Sequence, residues 1–236
     1  MDWLEVFGEQ AAKFRAAVGR AELGAAVPSC PHWTFTDLVV HVGRFLDQVT
    51  RYLTSGSMTR LPPRPADEVT DPLAYLDDRL GPAAAALSGT PANRPVWTFS
   101  PAAPALAWVW RRRAAHELNL RRWDAQAALR ALEPTDREQA VDAIDEQLGT
   151  LLAAQLAVDS PPEVKGTAVV SCTDGPESWF VALTPGEAPL VRPAADGEEA
   201  DATLRGTATN LVYQLRGRMR LTGSGDPEVL RGIRLP

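Results

Sequence analysis

Arg113, Glu117 and Arg121 follow one another at four-residue steps, and Asp124 comes three residues after Arg121. On a helix these steps put the side chains on one face, so two guanidinia and two carboxylates form a ladder of alternating charge. On a solvated face such a ladder is worth about 0.3–0.5 kcal/mol per pair and performs no chemistry. Helical projection, however, puts Glu117 and Asp124 within roughly 20° of the sectors of Leu106 and Trp110, which points to burial. A buried carboxylate needs a partner. Beside an imidazole, such a cluster is suited to proton transfer, because burial and neighbouring charge tune the acid and the base. His41 can supply that imidazole, since it lies about 60° from Leu38, on the edge of an apolar helix face.

Other chemistries find no support. The sequence has no phosphate-binding loop, no dinucleotide glycine fingerprint and no nucleophile elbow. Cys30 and Cys172 are too far apart for a close-spaced metal motif or a disulfide framework, and both are expected to be reduced, packed thiols. Nothing basic is secured beside Cys30 by the sequence, so a structural thiol is expected rather than a nucleophile. A net charge of −6 argues against a nucleic-acid partner held through phosphates. No apolar run reaches the roughly 18 residues that span a bilayer, and the N-terminus has no basic segment followed by an apolar core. The expected partner is a small-molecule substrate and the expected compartment the cytoplasm; the sequence leaves the oligomeric state open.

These residues must be positioned by helices. Trp3, Phe7, Ala11, Phe14 and Val18 form an amphipathic stripe behind an Asp2 cap. Thr34 and Asp37 have capping-box spacing and open a second helix whose apolar face carries Leu38, Val42, Phe45, Val49 and Tyr52. The Pro- and Gly-rich stretch 55–71 is a long connection, a kind of segment that is often functional. Asp71 and Pro72 start another helix, which Gly81 and Pro82 should kink or restart. The segment 105–131 is the helix that carries the charged ladder. Thr135 and Glu138 have the spacing of a further capping box, and the helix they open continues to a break at Pro161-Pro162. Beyond that break the texture changes. Thr167–Cys172 and Ser178–Leu183 read as a hairpin around Asp174, Gly175 and Pro176; 190–192 and 202–205 as further strands; and 207–217 as a short helix. Two domains follow, 1–160 and 161–236.

The run from Ser29 through Cys30-Pro31-His32-Trp33-Thr34, continued by Asp37-Leu38-Val39-Val40-His41-Val42-Gly43, resembles the opening of the mycothiol-dependent maleylpyruvate isomerase family. The run from His116-Glu117 through Arg121-Arg122-Trp123-Asp124-Ala125 resembles that family's second signature, His-Glu-x-x-x-His-Arg-x-Asp-Ala. The resemblance implies an α+β fold: an N-terminal DinB-like four-helix bundle and a small C-terminal α/β sterol-carrier-like domain. It also implies an isomerase or transferase that uses mycothiol as co-substrate and a divalent metal such as zinc. Two histidines and one glutamate would hold the metal, which places His41, Glu117 and the residue at 121 in that role. Here that residue is Arg121, and a guanidinium has no lone pair to donate. His41 and Glu117 remain as an incomplete metal pair.

Besides the metal- and mycothiol-dependent isomerase or S-transferase that the resemblance implies, two readings of the cluster stay open. In one, His41, Glu117 and Arg121 are catalytic without a metal, isomerising or cyclising a conjugated substrate that is held by Phe45, Trp110, Arg113 and Asp124. In the other, the cluster is a packed remnant and the protein only binds a small molecule. His32 stands where the family usually has Gly and is a further ligand candidate from the loop. His116 points about 100° away from Glu117 and is expected to be packed.

Overall fold

The computed structural model describes residues 1–64, 68–155 and 163–235. These fall into two compact units, Met1–Thr98 with Pro104–Glu133, and Phe99–Ala103 with Pro134–Pro236.

The first unit is the helical bundle. Helix α1 spans Trp3–Val18, and its cap is Asp2, whose side chain accepts from the backbone N–H groups of Leu4 and Glu5. Helix α2 spans Phe35–Ser55 behind the complete Thr34/Asp37 capping box, which satisfies two otherwise orphaned donors. Helix α3 runs without interruption from Pro72 to Gly89 with Pro82 inside it, so the expected restart at Gly81 does not occur. Helix α4 spans Trp108–Ala128. It packs chiefly on α1, while α2 packs chiefly on α3. Leu38, Leu46, Leu53, Leu76, Leu87 and Leu118 are fully buried between them.

Helix α4 is buried almost all the way round, charged residues included. Its sequence therefore lacks a clean apolar stripe, and its polar side chains satisfy one another. Arg122, 1% exposed, donates to Gln126, to Asn119 and to the Glu133 carbonyl. Arg113, Glu117, Arg121 and Asp124 make up a second row.

In the second unit, helix α5 (Arg137–Glu146) is capped by Asp136, which accepts from Gln139 N–H. The expected cap, Thr135, lies one residue before Asp136, with its hydroxyl 2.6 Å from Tyr213 Oη. A π-helical turn at Gln147–Leu151 and a last helical turn α6 (Leu152–Ala154) complete this segment. The Pro161-Pro162 break lies outside the described residues. Strands β1 (Gly166–Cys172), β2 (Ser178–Leu183), β3 (Leu190–Pro193), β4 (Ala202–Gly206) and β5 (Ser224–Gly225) form one sheet in the order β3-β2-β1-β4-β5. The β1–β2 hairpin pairs Val169 with Phe180, and β1 runs parallel to β4. Helices α7 (Ala208–Leu215) and α8 (Pro227–Gly232) pack on β4, and α5 packs on α7. Helix α5, assigned to the bundle domain on sequence, thus lies in the second unit, because Ala140, Ala143 and Ile144 supply a buried face for α7. The whole is an α+β chain. Among the described residues no helix is long and apolar enough to cross a membrane.

Candidate active site

Helices α2 and α4 bring the ladder and the histidine together. Glu117 is 6% exposed and both of its oxygens accept from arginine: Oε2 from Arg113 Nη2 at 2.7 Å and Oε1 from Arg121 Nε at 2.7 Å. His41 Nε2 lies 3.2 Å from the same Oε1 atom, and the His41 side chain is 37% exposed. The histidine is therefore the accessible edge of a buried ionic cluster. Asp124, which is fully buried, closes the row on the far side. Its Oδ2 accepts from Arg121 Nη1 at 3.1 Å, and its Oδ1 accepts from Ser29 Oγ at 2.7 Å.

The loop before α2 supplies the remaining neighbours. It is stitched by Cys30 N–H to Val27 O, Trp33 N–H to Cys30 O and Val27 N–H to Trp33 O. This presents Cys30 Sγ to Asp124 Oδ2 at 3.4 Å and to Arg121 Nη1 at 3.8 Å. The expectation that nothing basic stands beside Cys30 is therefore corrected. Its neighbour comes from a helix 91 residues away in sequence. Trp33 covers the cluster, with its ring centroid 5.4 Å from Arg121 Cζ and 4.9 Å from the His41 ring. His32 takes a left-handed φ of 69° and is exposed. Such backbone favours glycine, which gives a physical reason for Gly at this position in the resembled motif.

Electrostatics keep Arg121 charged. Burial alone would lower its pKa, but the Glu117 and Asp124 carboxylates outweigh that effect and hold it above the ordinary guanidinium value. Its Nη2 has no hydrogen-bond partner among the described residues, so Arg121 retains donor capacity beyond its two carboxylates.

Of the residues read as site candidates, His41, Glu117, Arg121, Arg113 and Asp124 form one connected cluster. Trp110 has its Nε1 donating to Trp97 O at 2.8 Å and its ring stacked on Tyr52 with centroids 5.2 Å apart. Phe45 lies one turn beyond His41 on α2, half-buried. His116 is buried at 4% exposure, as expected from its helical position. Ser29 and Trp33, which have no role on sequence, belong to the cluster, as does Cys30, read there as a structural thiol. Their place in the run before α2 was the available signal.

The family model for the mycothiol maleylpyruvate isomerase N-terminal domain matches residues 4–126, slightly more than half of the chain. The chain belongs to this family. No curated protein and no solved structure matched it. Membership places the chain in a mycothiol-associated enzyme family, and the match covers both helix α2 with His41 and helix α4 with Glu117. The metal implied by the family resemblance does not fit the donors present. Among the described residues no group of three His, Cys, Asp or Glu side chains is placed to hold an ion. At 121 a cation replaces the third donor, and arginines already occupy both Glu117 oxygens.

Proposed function

We propose that this protein is a small-molecule enzyme that isomerises or cyclises a conjugated substrate by acid-base chemistry, with Arg121 taking the place of a metal. The observation that carries the proposal is the convergence of His41 Nε2 and Arg121 Nε on Glu117 Oε1, at 3.2 and 2.7 Å. With Glu117 as a carboxylate, Nε2 carries the proton that faces Oε1, and Nδ1 is left as the lone-pair atom. A carboxylate that orients an imidazole fixes its tautomer and stabilises the imidazolium, which is the arrangement a general base requires.

The step is a proton transfer. Nδ1 of His41 takes a proton from a carbon conjugated to a carbonyl; the C–H electron pair moves into the conjugated system as a dienolate. The imidazolium then returns the proton to a different carbon of that system, and no external oxidant or reductant is needed. The fixed positive charge of Arg121 favours the anionic intermediate.

Family membership favours a second reading, in which mycothiol is a co-substrate and its thiolate adds to and leaves the conjugated system. Assays with maleylpyruvate and a panel of conjugated enones, in chelator and with or without mycothiol, separate the two. The first reading expects turnover that persists in chelator without thiol and falls about 10²- to 10⁴-fold in His41→Gln. Turnover only with mycothiol would establish the second reading. A ligand that binds equally well to wild type, His41→Gln and Glu117→Gln without ever being converted would reduce the protein to a binding module.

A further inference from the structure

A separate cavity of about 310 Å³ opens between α2, the segment that follows it and α3. It is lined by Arg44, Asp47, Gln48, Arg51, Tyr52, residues 60–64 and Tyr75, and shares no residue with the His41–Glu117–Arg121 cluster. Its walls are fixed. Tyr52 Oη accepts from Leu61 N–H at 3.0 Å, and Arg51 Nη2 donates to Pro62 O at 3.0 Å, which ties the strap down onto α2. Pro62 and Pro63 restrict the strap further, because each locks its own φ. On the other side, Tyr75 lies so close to Gly43 that a Cβ there would sit 2.4 Å from its Cε1. Glycine at 43 is what lets this aromatic wall stand against α2.

The charge of the lining is its unusual feature. Arg44, Arg51, Arg60 and Arg64 face one carboxylate, Asp47, in a chain whose net charge is −6. Asp47 is already engaged by Arg64 Nη1 at 2.7 Å, and Arg51 is turned onto Pro62 O. Arg44 and Arg60 are exposed and have no ion-pair or hydrogen-bond partner among the described residues. A concave site lined by one sign of charge focuses its field, and guanidinium forks match carboxylate and phosphate oxygens in pairs. The volume falls at the lower end of the range for small-molecule pockets, which suits a compact ligand rather than a chain.

We infer that this cavity binds a compact small-molecule polyanion, carrying at least two phosphate or carboxylate groups, with Arg44 and Arg60 as its principal ligands and Tyr75 as its apolar wall. This does not rest on the acid-base reading of the other cluster.

Isothermal titration of the full chain with inorganic pyrophosphate and, separately, citrate tests it. An ionic strength of about 0.15 M screens diffuse attraction beyond about 8 Å. Saturable one-site binding of at least one probe is expected. The affinity should weaken at least about tenfold in the Arg44→Ala/Arg60→Ala double variant, in line with the loss of two charge-assisted contacts. Arg205→Ala, on the exposed edge of β4, should bind as wild type does. Binding of pyrophosphate alone identifies a phosphate site, and of citrate alone a carboxylate site. No saturable binding of either probe would overturn the inference, as would an equal loss in the Arg205 control. Both substituted arginines are on the surface, so thermal melts of the double variant within a few degrees of wild type will confirm that a loss reflects the site.

Discussion

Arg121 and His41 meet on one atom, Glu117 Oε1, the first as a donor at 2.7 Å and the second at 3.2 Å. The guanidinium is thus a partner of the carboxylate that orients the imidazole. Because Glu117 and Asp124 are both buried, removing the charge at 121 leaves two carboxylates short of a partner inside the bundle. Arg121→Met should therefore cost about 3–5 kcal/mol in urea denaturation, the usual penalty for breaking a buried pair from one side. The double variant Arg121→Met/Glu117→Gln should cost less than the sum of the two singles, since each deletion removes the other's stranded charge. A loss below about 1 kcal/mol for Arg121→Met would mean the row behaves like a solvated one.

Gly43 of α2 and Gly8 of α1 should respond to alanine with opposite signs. At Gly43 a Cβ would come within 2.4 Å of the Tyr75 ring, so Gly43→Ala forces the ring off α2 and should destabilise by about 1–3 kcal/mol. At Gly8, exposed inside α1, nothing apart from its chain neighbours lies within 4 Å of the added atom. Gly8→Ala should gain roughly 0.5–1 kcal/mol from helix propensity and a less disordered unfolded chain. Paired thermal melts check both, and equal effects would contradict the packing described for Tyr75.

The Cys172 thiol is pushed up to about 11, first by burial and then by the Asp174 and Glu177 carboxylates. Its folded value exceeds the unfolded one, so its contribution to stability is complete below pH 9, the ordinary thiol value, and is lost as pH rises toward 11. Iodoacetamide modification of this residue, followed by peptide mass spectrometry, should climb about tenfold per pH unit from pH 8 to 10. A rate that levels off between pH 9 and 10 would show an unperturbed thiol.

Much of the fold was legible because its signals are local. Asp2, Thr34 with Asp37, and Asp71 with Pro72 each announce a helix start within four residues, and each caps as read. The hairpin around Gly175 is equally local. Thr135 and Asp136 show the limit of this kind of reading: both can cap, Asp136 does, and the Thr135 hydroxyl lies against Tyr213, 78 residues away. Strand β5 is only two residues long and exists through its pairing with β4. The site divides in the same way. His41, Glu117 and Arg121 could be lined up from helical spacing and motif resemblance. The contacts of Cys30 and Trp33 with Arg121 depend on how the loop before α2 folds over α4, for which no periodicity exists. For Trp110 spacing could not decide, because an aromatic on the ladder helix fits a pocket or a core equally well; its indole N–H donates to Trp97 O.

Metal content tests the central claim most directly, that a guanidinium has taken the place of an ion beside His41 and Glu117. Purified wild-type protein, dialysed against zinc and then analysed for elements, should retain no stoichiometric metal. Arg121→His, which restores a lone pair four residues after Glu117, should retain zinc and lose it again when His41→Ala is added. Stoichiometric zinc in the wild type that disappears with His41→Ala or Glu117→Ala would contradict the claim.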